Sequence, residues 1–324
     1  MRDKPALSPT VPPLVSIVVP VFNRARYIAD CIQSALGQDY PSLEVVVSDN
    51  ASTDGSWEIC EGIAAEDDRV RLFRNDINIG PVANWKRGIA EARGSYCKLL
   101  FSDDLLRPGC VRQLVEAMCD EAGLVVCNVL LGSRPEDAKP FYGPWKSGSM
   151  RSSDYIRRVP RWEFPVSPGA ALFRTSDLAA ALEQRVPASA THGFERTGAG
   201  IDVLAMLRVA EAYESVMVIN QPGVFFRLHN DSITVQNCDN AVFDGYTAAI
   251  AGHLGLVGRC GDERRFLCRQ WLVGCWKKRG YLPLADFVAR YQSEGASFSR
   301  WAVVRLFPLV ASAELARLIH RWLR

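Results

Sequence analysis

The sequence predicts an α/β fold in which a mostly parallel central sheet is flanked by helices and followed by a helical C-terminal extension. Two observations predict this fold. Between residues 14 and 130, short runs rich in β-branched residues alternate with helix-like segments, and such alternation joins parallel strands through right-handed crossovers. From Ala241 onward the pattern is that of helices alone.

Five strands are predicted in the first half of the chain. The first, Val15-Ser16-Ile17-Val18-Val19-Pro20, is an apolar run typical of a strand buried on both faces. The five strands cover residues 15–20, 43–49, 69–74, 96–101 and 124–128. Helices are predicted between them over residues 24–36, 53–65, 81–92 and 108–119, of which the third is opened by Gly80-Pro81 and ended by Gly94.

The second half of the chain is less regular. Residues 131–150 are rich in Gly and Pro and are predicted to form a long loop. Further strands are predicted over residues 170–174, 216–220 and 224–228, and a helix over 201–212. We therefore expect a disordered N-terminal arm (1–13), a regular strand–helix half (14–130), a less regular half of the same domain (131–240) and a basic helical extension (241–324).

The charge of the chain is concentrated at its C-terminus. Its 324 residues have a net charge of +2, but residues 259–324 contain 13 Lys and Arg against 5 Asp and Glu. Apolar residues from Leu315 to Leu323 recur at helical spacing beside arginines, as in a helix lying on an anionic membrane or in a terminal helix packed on its own domain. We expect no nucleic-acid partner. No signal peptide or apolar run long enough to span a bilayer is visible, so a cytoplasmic protein is expected, peripheral to the inner face of the membrane if the tail binds it.

Acidic and amide side chains collect where the predicted strands end. The first strand leads into Phe22 and Asn23, the second ends at Asp49, and the fourth leads into Asp103 and Asp104. In open parallel sheets, ligands bind at this edge. No GxGxxG and no Walker motif is present to hold phosphate, so carboxylates with a hard cation, Mg²⁺ or Mn²⁺, are the expected substitute.

Four segments, in this order along the chain, resemble the nucleotide-binding half of glycosyltransferase family 2, which has the GT-A fold. They are residues 15–23, 47–55, 78–80 and 101–104, the last followed by Pro108. The resemblance implies that Pro20, Phe22, Asn23, Asp49 and Asn78 contact the nucleotide and that Asp103 is the metal-binding acid of the DXD motif. Phe101 occupies the place of the motif's first acid, and Asp104 or Ser102 is expected to compensate.

The resemblance extends to the acceptor side, and it implies that residues 14–130 are the nucleotide-sugar-binding half and residues 131–240 the acceptor-binding half of one GT-A domain. The segment that starts at Gly198 resembles the family's acidic motif, in which only Asp202 retains an acid, and this implies a catalytic base; stabilisation of a helix N-terminus is the alternative. Glu195 is the second candidate base. Arg227-Leu228-His229-Asn230 resembles a motif near the diphosphate, which implies that Arg227 binds phosphate and that His229 either is a metal ligand or is structural. Trp145 and Trp162 either stack on an acceptor sugar or pack in the core.

The expected function is inverting transfer of a sugar from a nucleotide-diphosphate sugar, with a UDP-sugar favoured, to a glycan or lipid-linked acceptor. The resemblance places such a reaction in the synthesis of bacterial cell-surface polysaccharide. Two alternatives stay open at this point. One is a sugar-phosphate nucleotidyltransferase, although the Gly-rich basic loop expected after its first strand is missing between Pro20 and Arg24. The other is a non-catalytic nucleotide-sugar-binding relative.

Overall fold

A ten-stranded sheet forms the centre of the molecule and carries helices on both faces. The structure, a computed structural model, describes residues 11–183, 197–232, 240–276 and 283–291. Part of the N-terminal arm (1–10), Glu195 and residues 292–324, with the apolar and basic pattern near the C-terminus, lie outside the described residues. The predicted fold class, a GT-A-like α/β fold, is confirmed in the described part.

The strands are β1 (Val15–Val21), β2 (Leu43–Asp49), β3 (Val70–Arg74), β4 (Tyr96–Leu99), β5 (Leu105–Leu106), β6 (Ala122–Gly132), β7 (Lys139–Pro140), β8 (Gly148–Arg151), β9 (Ala171–Arg174) and β10 (Ser215–Arg227). The helices are α1 (Ile28–Leu36), α2 (Ser56–Glu66), α3 (Pro81–Ala90), α4 (Cys110–Ala117), α5 (Ser152–Arg158), α6 (Thr175–Glu183), α7 (Ile201–Glu211), α8 (Asn240–Leu256), α9 (Cys260–Trp276) and α10 (Leu284–Tyr291).

The sheet is parallel in its first half and mixed as a whole. Its strand order is β3-β2-β1-β4-β9-β6-β10-β5, with β7 beside β6 and β8 beside β10. The first four strands of this order pair in parallel, as the strand–helix alternation predicts, and β6 and β10 also pair in parallel. Strand β9 enters between β4 and β6 and is antiparallel to both.

Two apolar layers cover the two faces of the sheet. Alternate residues of one strand point to opposite faces, so Ile17 and Val19 belong to one layer, with α1 and α4, whereas Val18 belongs to the other, with α3, α7 and α8. The C-terminal helices α8 and α9 therefore share a core with the sheet domain. No helix among the described residues is long and apolar enough to cross a membrane.

Several element boundaries differ from the predicted ones. Helix α1 begins at Ile28 instead of Arg24, and α2 begins at Ser56, whose N–H donates to Asp54 Oδ1 at 3.0 Å. The two late strands are one strand, β10, which is irregular around Pro222 because proline has no N–H for the ladder. The predicted loop 131–150 contains β7 and β8.

Candidate active site

The loops after β1 and β2 are tied to each other by side-chain hydrogen bonds. Asn23 has a left-handed backbone (φ 52°), its N–H donates to Ser52 Oγ at 3.0 Å, and its Oδ1 accepts the N–H of Thr53 at 2.9 Å. Pro20 is buried in β1, whereas Phe22 is 42% exposed at the tip of the loop. These hydrogen bonds fix the loop after β1 to the loop after β2. The exposed Phe22 ring is accessible to a ligand.

Asp49 is fully buried at the end of β2. Its Oδ2 lies 3.3 Å from Arg74 Nε and accepts the N–H of Ser52 at 3.1 Å. Its Oδ1 is buried and has no hydrogen-bond partner among the residues that the structure describes. A buried carboxylate oxygen without a donor is costly, so Oδ1 offers an acceptor position to an N–H or O–H group of a ligand.

Asn78 belongs to a network of amides at the N-terminus of α3. Its Oδ1 accepts the N–H of Gly80 at 2.9 Å and the Nδ2 of the buried Asn50 at 2.8 Å. The Oδ1 of Asn50 in turn accepts the N–H of Ile79 at 2.9 Å. The acceptor oxygen of Asn78 is therefore engaged in shaping the loop, while the residue itself is exposed, and a contact with the nucleotide stays a prediction.

Asp103, Arg227 and His229 come together where β4 and β10 end, as the sequence predicts. Asp103 Oδ2 lies 2.8 Å from His229 Nε2 and 3.9 Å from Arg24 Nε. The carbonyl oxygen of Asp103 accepts the Nε–H of Arg227 at 3.0 Å. The Arg227 guanidinium also lies over the Tyr27 ring, 5.1 Å from the ring centre.

Asp104 and Ser102 are buried beside this cluster. Asp104 is 7% exposed, and its Oδ1 accepts the backbone N–H of Arg227 at 3.0 Å. Burial raises the pKa of Asp104 well above its ordinary value, and the neighbouring charge of Asp103 raises it further. The carboxyl group thus joins the end of β10 to the loop after β4. A contact of either residue with the nucleotide stays a prediction.

Two side chains could hold a metal here. No group of three or more His, Cys, Asp or Glu side chains with that capacity occurs in the described part of the chain. Asp103 and His229 nevertheless present a carboxylate oxygen and an imidazole nitrogen at one point. His229 Nδ1 is buried and has no partner within the described ranges. The pair fits a divalent cation that takes its other ligands from phosphate and water, and the imidazole favours Mn²⁺ over Mg²⁺.

Asp202 lies at the first turn of α7. Its Oδ1 accepts the N–H of Gly200 at 2.9 Å and of Val203 at 2.8 Å, and its Oδ2 accepts the hydroxyl of Tyr246 in α8. Burial raises the pKa of Asp202 to about 6 against these hydrogen bonds, which lower it. The hydrogen bonds of Oδ1 are those of the structural alternative, stabilisation of the helix N-terminus, and the role of Asp202 as the base stays a prediction.

A sequence profile of the family described as glycosyl transferase family 2 matches residues 16–180, just over half of the chain. The chain belongs to glycosyl transferase family 2. The matched residues run from β1 through most of α6 and include Asp49 and Asp103, but they end before Asp202 and His229. The residues predicted for the acceptor side of this family 2 chain thus lie largely outside the match.

Two curated relatives of this family 2 chain are similar over part of its length. The glycosyltransferase GlyG of Streptococcus pneumoniae is 32% identical over 116 residues, which are 36% of this chain and 38% of GlyG. The GalNAc(5)-diNAcBac-PP-undecaprenol beta-1,3-glucosyltransferase of Campylobacter jejuni is 31% identical over 147 residues, 44% of this chain and 48% of that enzyme. The chain matches less than half the length of either relative.

Two solved structures share the fold. TarS 1–349 of S. aureus in complex with UDP-GlcNAc has a TM-score of 0.66 at 16% identity and covers 86% of this chain and 81% of its own. The mannosyltransferase PcManGT of Pyrobaculum calidifontis in complex with GDP-Man and Mn²⁺ has a TM-score of 0.52 at 19% identity, with 88% and 81% covered. At these identities the likeness is one of fold.

Sequence reasoning on this family 2 member missed Tyr246, because no motif surrounds it. It also left the aromatic residues undecided. Trp145 packs on Phe164, with ring centroids 4.8 Å apart, and Trp162 meets Tyr246 edge-on at 5.2 Å. Phe101 packs on Trp85, with ring centroids 5.5 Å apart, so an apolar contact occupies the place of the motif's first acid.

Proposed function

We propose that this chain is a metal-assisted, inverting glycosyltransferase that uses a nucleotide-diphosphate sugar, with a UDP-sugar favoured. The observation that carries the proposal is the convergence of Asp103, Arg227 and His229 at the carboxyl ends of β4 and β10 in a family 2 fold. Family membership disfavours the nucleotidyltransferase alternative. A non-catalytic relative remains as an outcome of the experiment below.

On the donor side, Asp49 offers its unpartnered Oδ1 to the base, next to the exposed ring of Phe22 and the loops of Asn23 and Asn78. Arg227, held by Asp103 and by the Tyr27 ring, binds phosphate. A divalent cation at Asp103 and His229 would neutralise charge on the departing diphosphate. Ser102 and Asp104 form part of the donor site beside Asp103. UDP-GlcNAc and GDP-Man in the structurally similar proteins support a donor of this class.

On the acceptor side, Asp202 is the general base. Its Oδ2 accepts the proton of the acceptor hydroxyl as that oxygen forms a bond to the anomeric carbon, and the bond from this carbon to the diphosphate breaks. Attack from the side opposite the leaving group inverts the configuration. A pKa of about 6 leaves the carboxyl ionised at neutral pH yet more basic than an exposed aspartate, which suits a base.

The acceptor is a glycan or a lipid-linked glycan, and the product is part of a cell-surface polysaccharide. The Campylobacter jejuni relative, whose name states transfer to an undecaprenol-linked glycan, supports this choice. A lipid-linked acceptor would place the reaction at a membrane, and the basic residues of 259–324 would hold the protein against its inner, anionic face.

Nucleotide-sugar binding tests the donor proposal directly. We expect UDP-GlcNAc, GDP-Man or another nucleotide sugar of a panel to raise the melting temperature more with Mn²⁺ than without it, and release of nucleoside diphosphate to identify the donor that is turned over. Asp103→Ala should abolish the Mn²⁺-dependent part of this rise in melting temperature. An unchanged Mn²⁺ dependence in the variant would contradict the assignment of Asp103 as a metal ligand. Asp202→Asn should bind the donor and lose turnover. Binding without turnover in the unaltered protein, with every donor and with lipid-linked glycans supplied, would favour a non-catalytic relative.

A further inference from the structure

We propose that Tyr246 is a positioning residue for the acceptor-side carboxylate: its hydroxyl holds Oδ2 of Asp202 in the orientation from which that oxygen takes the acceptor's proton. The inference rests on the proposed function of Asp202 as the base. It assigns part of the reaction machinery to α8, which lies outside the residues matched to family 2.

The two oxygens of Asp202 have different surroundings. Oδ1 accepts two backbone N–H groups, from Gly200 and Val203, and so is fixed to the N-terminus of α7. Oδ2 accepts the Tyr246 hydroxyl. Because an ionised carboxylate oxygen can accept two hydrogen bonds, Tyr246 occupies one position on Oδ2 and leaves the other for an acceptor hydroxyl.

Tyr246 is itself fixed on both sides. Its ring meets Trp162 edge-on, with centroids 5.2 Å apart. Its chain neighbour Gly245 lies so close to the loop before α7 that a Cβ at this position would be 2.5 Å from the carbonyl oxygen of Ala199. Helix α8 is therefore seated directly on the Gly198–Gly200 loop, and a larger residue at 245 would push the tyrosine away from Asp202.

Two tyrosines in the described part of the chain sense the charge of Asp202. Burial raises the pKa values of Tyr246 and of Tyr142, which lies in the loop before β8, and the Asp202 charge raises them further. At the opposite end of α7, Glu211 Oε2 lies 3.9 Å from His253 Nε2 of α8, and burial lowers the pKa of His253 to about 4, so this imidazole is neutral at neutral pH. Burial raises the pKa of Asp202, and the hydrogen bond from Tyr246 is the strongest of the interactions that lower this pKa.

Tyr246→Phe removes the hydroxyl and keeps the ring. We expect the acidic limb of the pH profile of kcat to move up by roughly half to one pH unit, and kcat on the plateau to fall about tenfold. The KM for the donor should change by less than about twofold, because the donor site does not include Tyr246. The assay uses UDP-GlcNAc with Mn²⁺ and measures the UDP that is released as the sugar is transferred to water. Tyr213→Phe, which removes a tyrosine–aspartate bond to Asp177 (2.6 Å) outside the site, is the matched control.

A second measurement does not require turnover. In protein labelled with ¹³C at the aspartate carboxyls, the resonance missing from Asp202→Asn identifies Asp202, and its titration gives the pKa directly. Tyr246→Phe should raise this pKa, and Tyr213→Phe should not. An unchanged pKa in Tyr246→Phe overturns the inference alone. Full turnover in Asp202→Asn would instead overturn the proposed base, and the inference with it.

Discussion

At the residue scale, the buried carboxyl of Asp202 links function to stability. The ordinary pKa of an aspartate is 3.8, and burial raises that of Asp202 to about 6. Between these values the folded protein retains a proton that the unfolded chain has released. The contribution of Asp202 to stability is therefore largest below about pH 4, falls as the pH rises to about 6, and is constant above it.

Asp202→Asn should remove this dependence. An asparagine can direct its oxygen to the N–H groups of Gly200 and Val203 and its amide to Tyr246, so the contacts are retained without the charge. We expect the free energy of unfolding of Asp202→Asn, relative to the unaltered protein, to increase by about 3 kcal/mol between pH 4 and pH 7. Urea unfolding across this range measures it, and a difference independent of pH would show that Asp202 is not protonated in this way.

Asp49→Asn tests the unpartnered oxygen at the end of β2. The substitution replaces one carboxylate oxygen by an NH₂ group. The variant side chain can then accept a hydrogen bond from the nucleotide base only by giving up the oxygen that contacts Arg74 and Ser52. We expect the affinity for UDP to fall about tenfold in calorimetry. Asp76→Asn, at an exposed position of the loop after β3, is the control. Equal UDP affinity in Asp49→Asn and the unaltered protein would exclude Asp49 from the base pocket.

Positions that depend on strand ends could be predicted from the sequence, and positions that depend on packing could not. Asp103 and His229 stand next to recognisable motifs, and the structure joins them at 2.8 Å. Whether Asp104 faces solvent or the interior depends on β10, which approaches from more than a hundred residues away. The contact between Tyr246 and Asp202 also depends on packing between distant segments, and nothing in the sequence of α8 indicates that Tyr246 faces Asp202.

At the scale of elements, the loop that presents α7 is shaped by Gly198. This residue has φ +73°, and a Cβ there would lie 2.5 Å from the Trp85 ring. Gly258 has the same φ with nothing within 4 Å of a Cβ, which makes the two glycines a matched pair. Both are strained by any L side chain, but only Gly198 also meets a rigid neighbour.

Gly198→Ala should therefore destabilise the protein more than Gly258→Ala. We expect Gly258→Ala to cost about 1 kcal/mol through its backbone conformation alone, and Gly198→Ala to cost roughly 1–3 kcal/mol more through overpacking against Trp85. Chemical denaturation of the two variants gives the difference. Equal destabilisation would mean that the Trp85 ring moves aside without cost and does not set the loop.

The order of elements in the first half was predictable because each apolar run is local and bounded by turn residues. Element boundaries in the second half depend on partners distant in the chain. Strand β10 continues through Pro222 because β6 on one side and β5 and β8 on the other pair with its two parts. Strands β7 and β8 are short edge pairings within a Gly- and Pro-rich segment, and composition alone gives no register for them.

At the scale of the whole molecule, one sheet carries both halves of the site. The expected division at residue 130 falls inside β6, and Asp103 and His229, from opposite sides of it, meet directly. A donor bound beside this pair would contact both halves. The proposed division into donor and acceptor halves is thus one of function within a single sheet and stays a prediction.

The separation of charge along the chain leads to a last prediction. Residues 259–324 carry a surplus of eight positive charges, 13 against 5, while the remaining residues carry 25 Lys and Arg against 31 Asp and Glu. We expect the full chain to sediment with phosphatidylcholine vesicles that contain phosphatidylglycerol, not with phosphatidylcholine alone, and to be released as salt shortens the Debye length from about 10 Å at 0.1 M to about 3 Å at 1 M. Exchanging Arg317, Arg321 and Arg324 for glutamine tests the tail, with Arg112→Gln on the exposed face of α4 as control. Binding that survives high salt would indicate insertion of the apolar residues between Leu315 and Leu323 instead, and equal loss in the control would assign the attraction to net charge rather than to the tail.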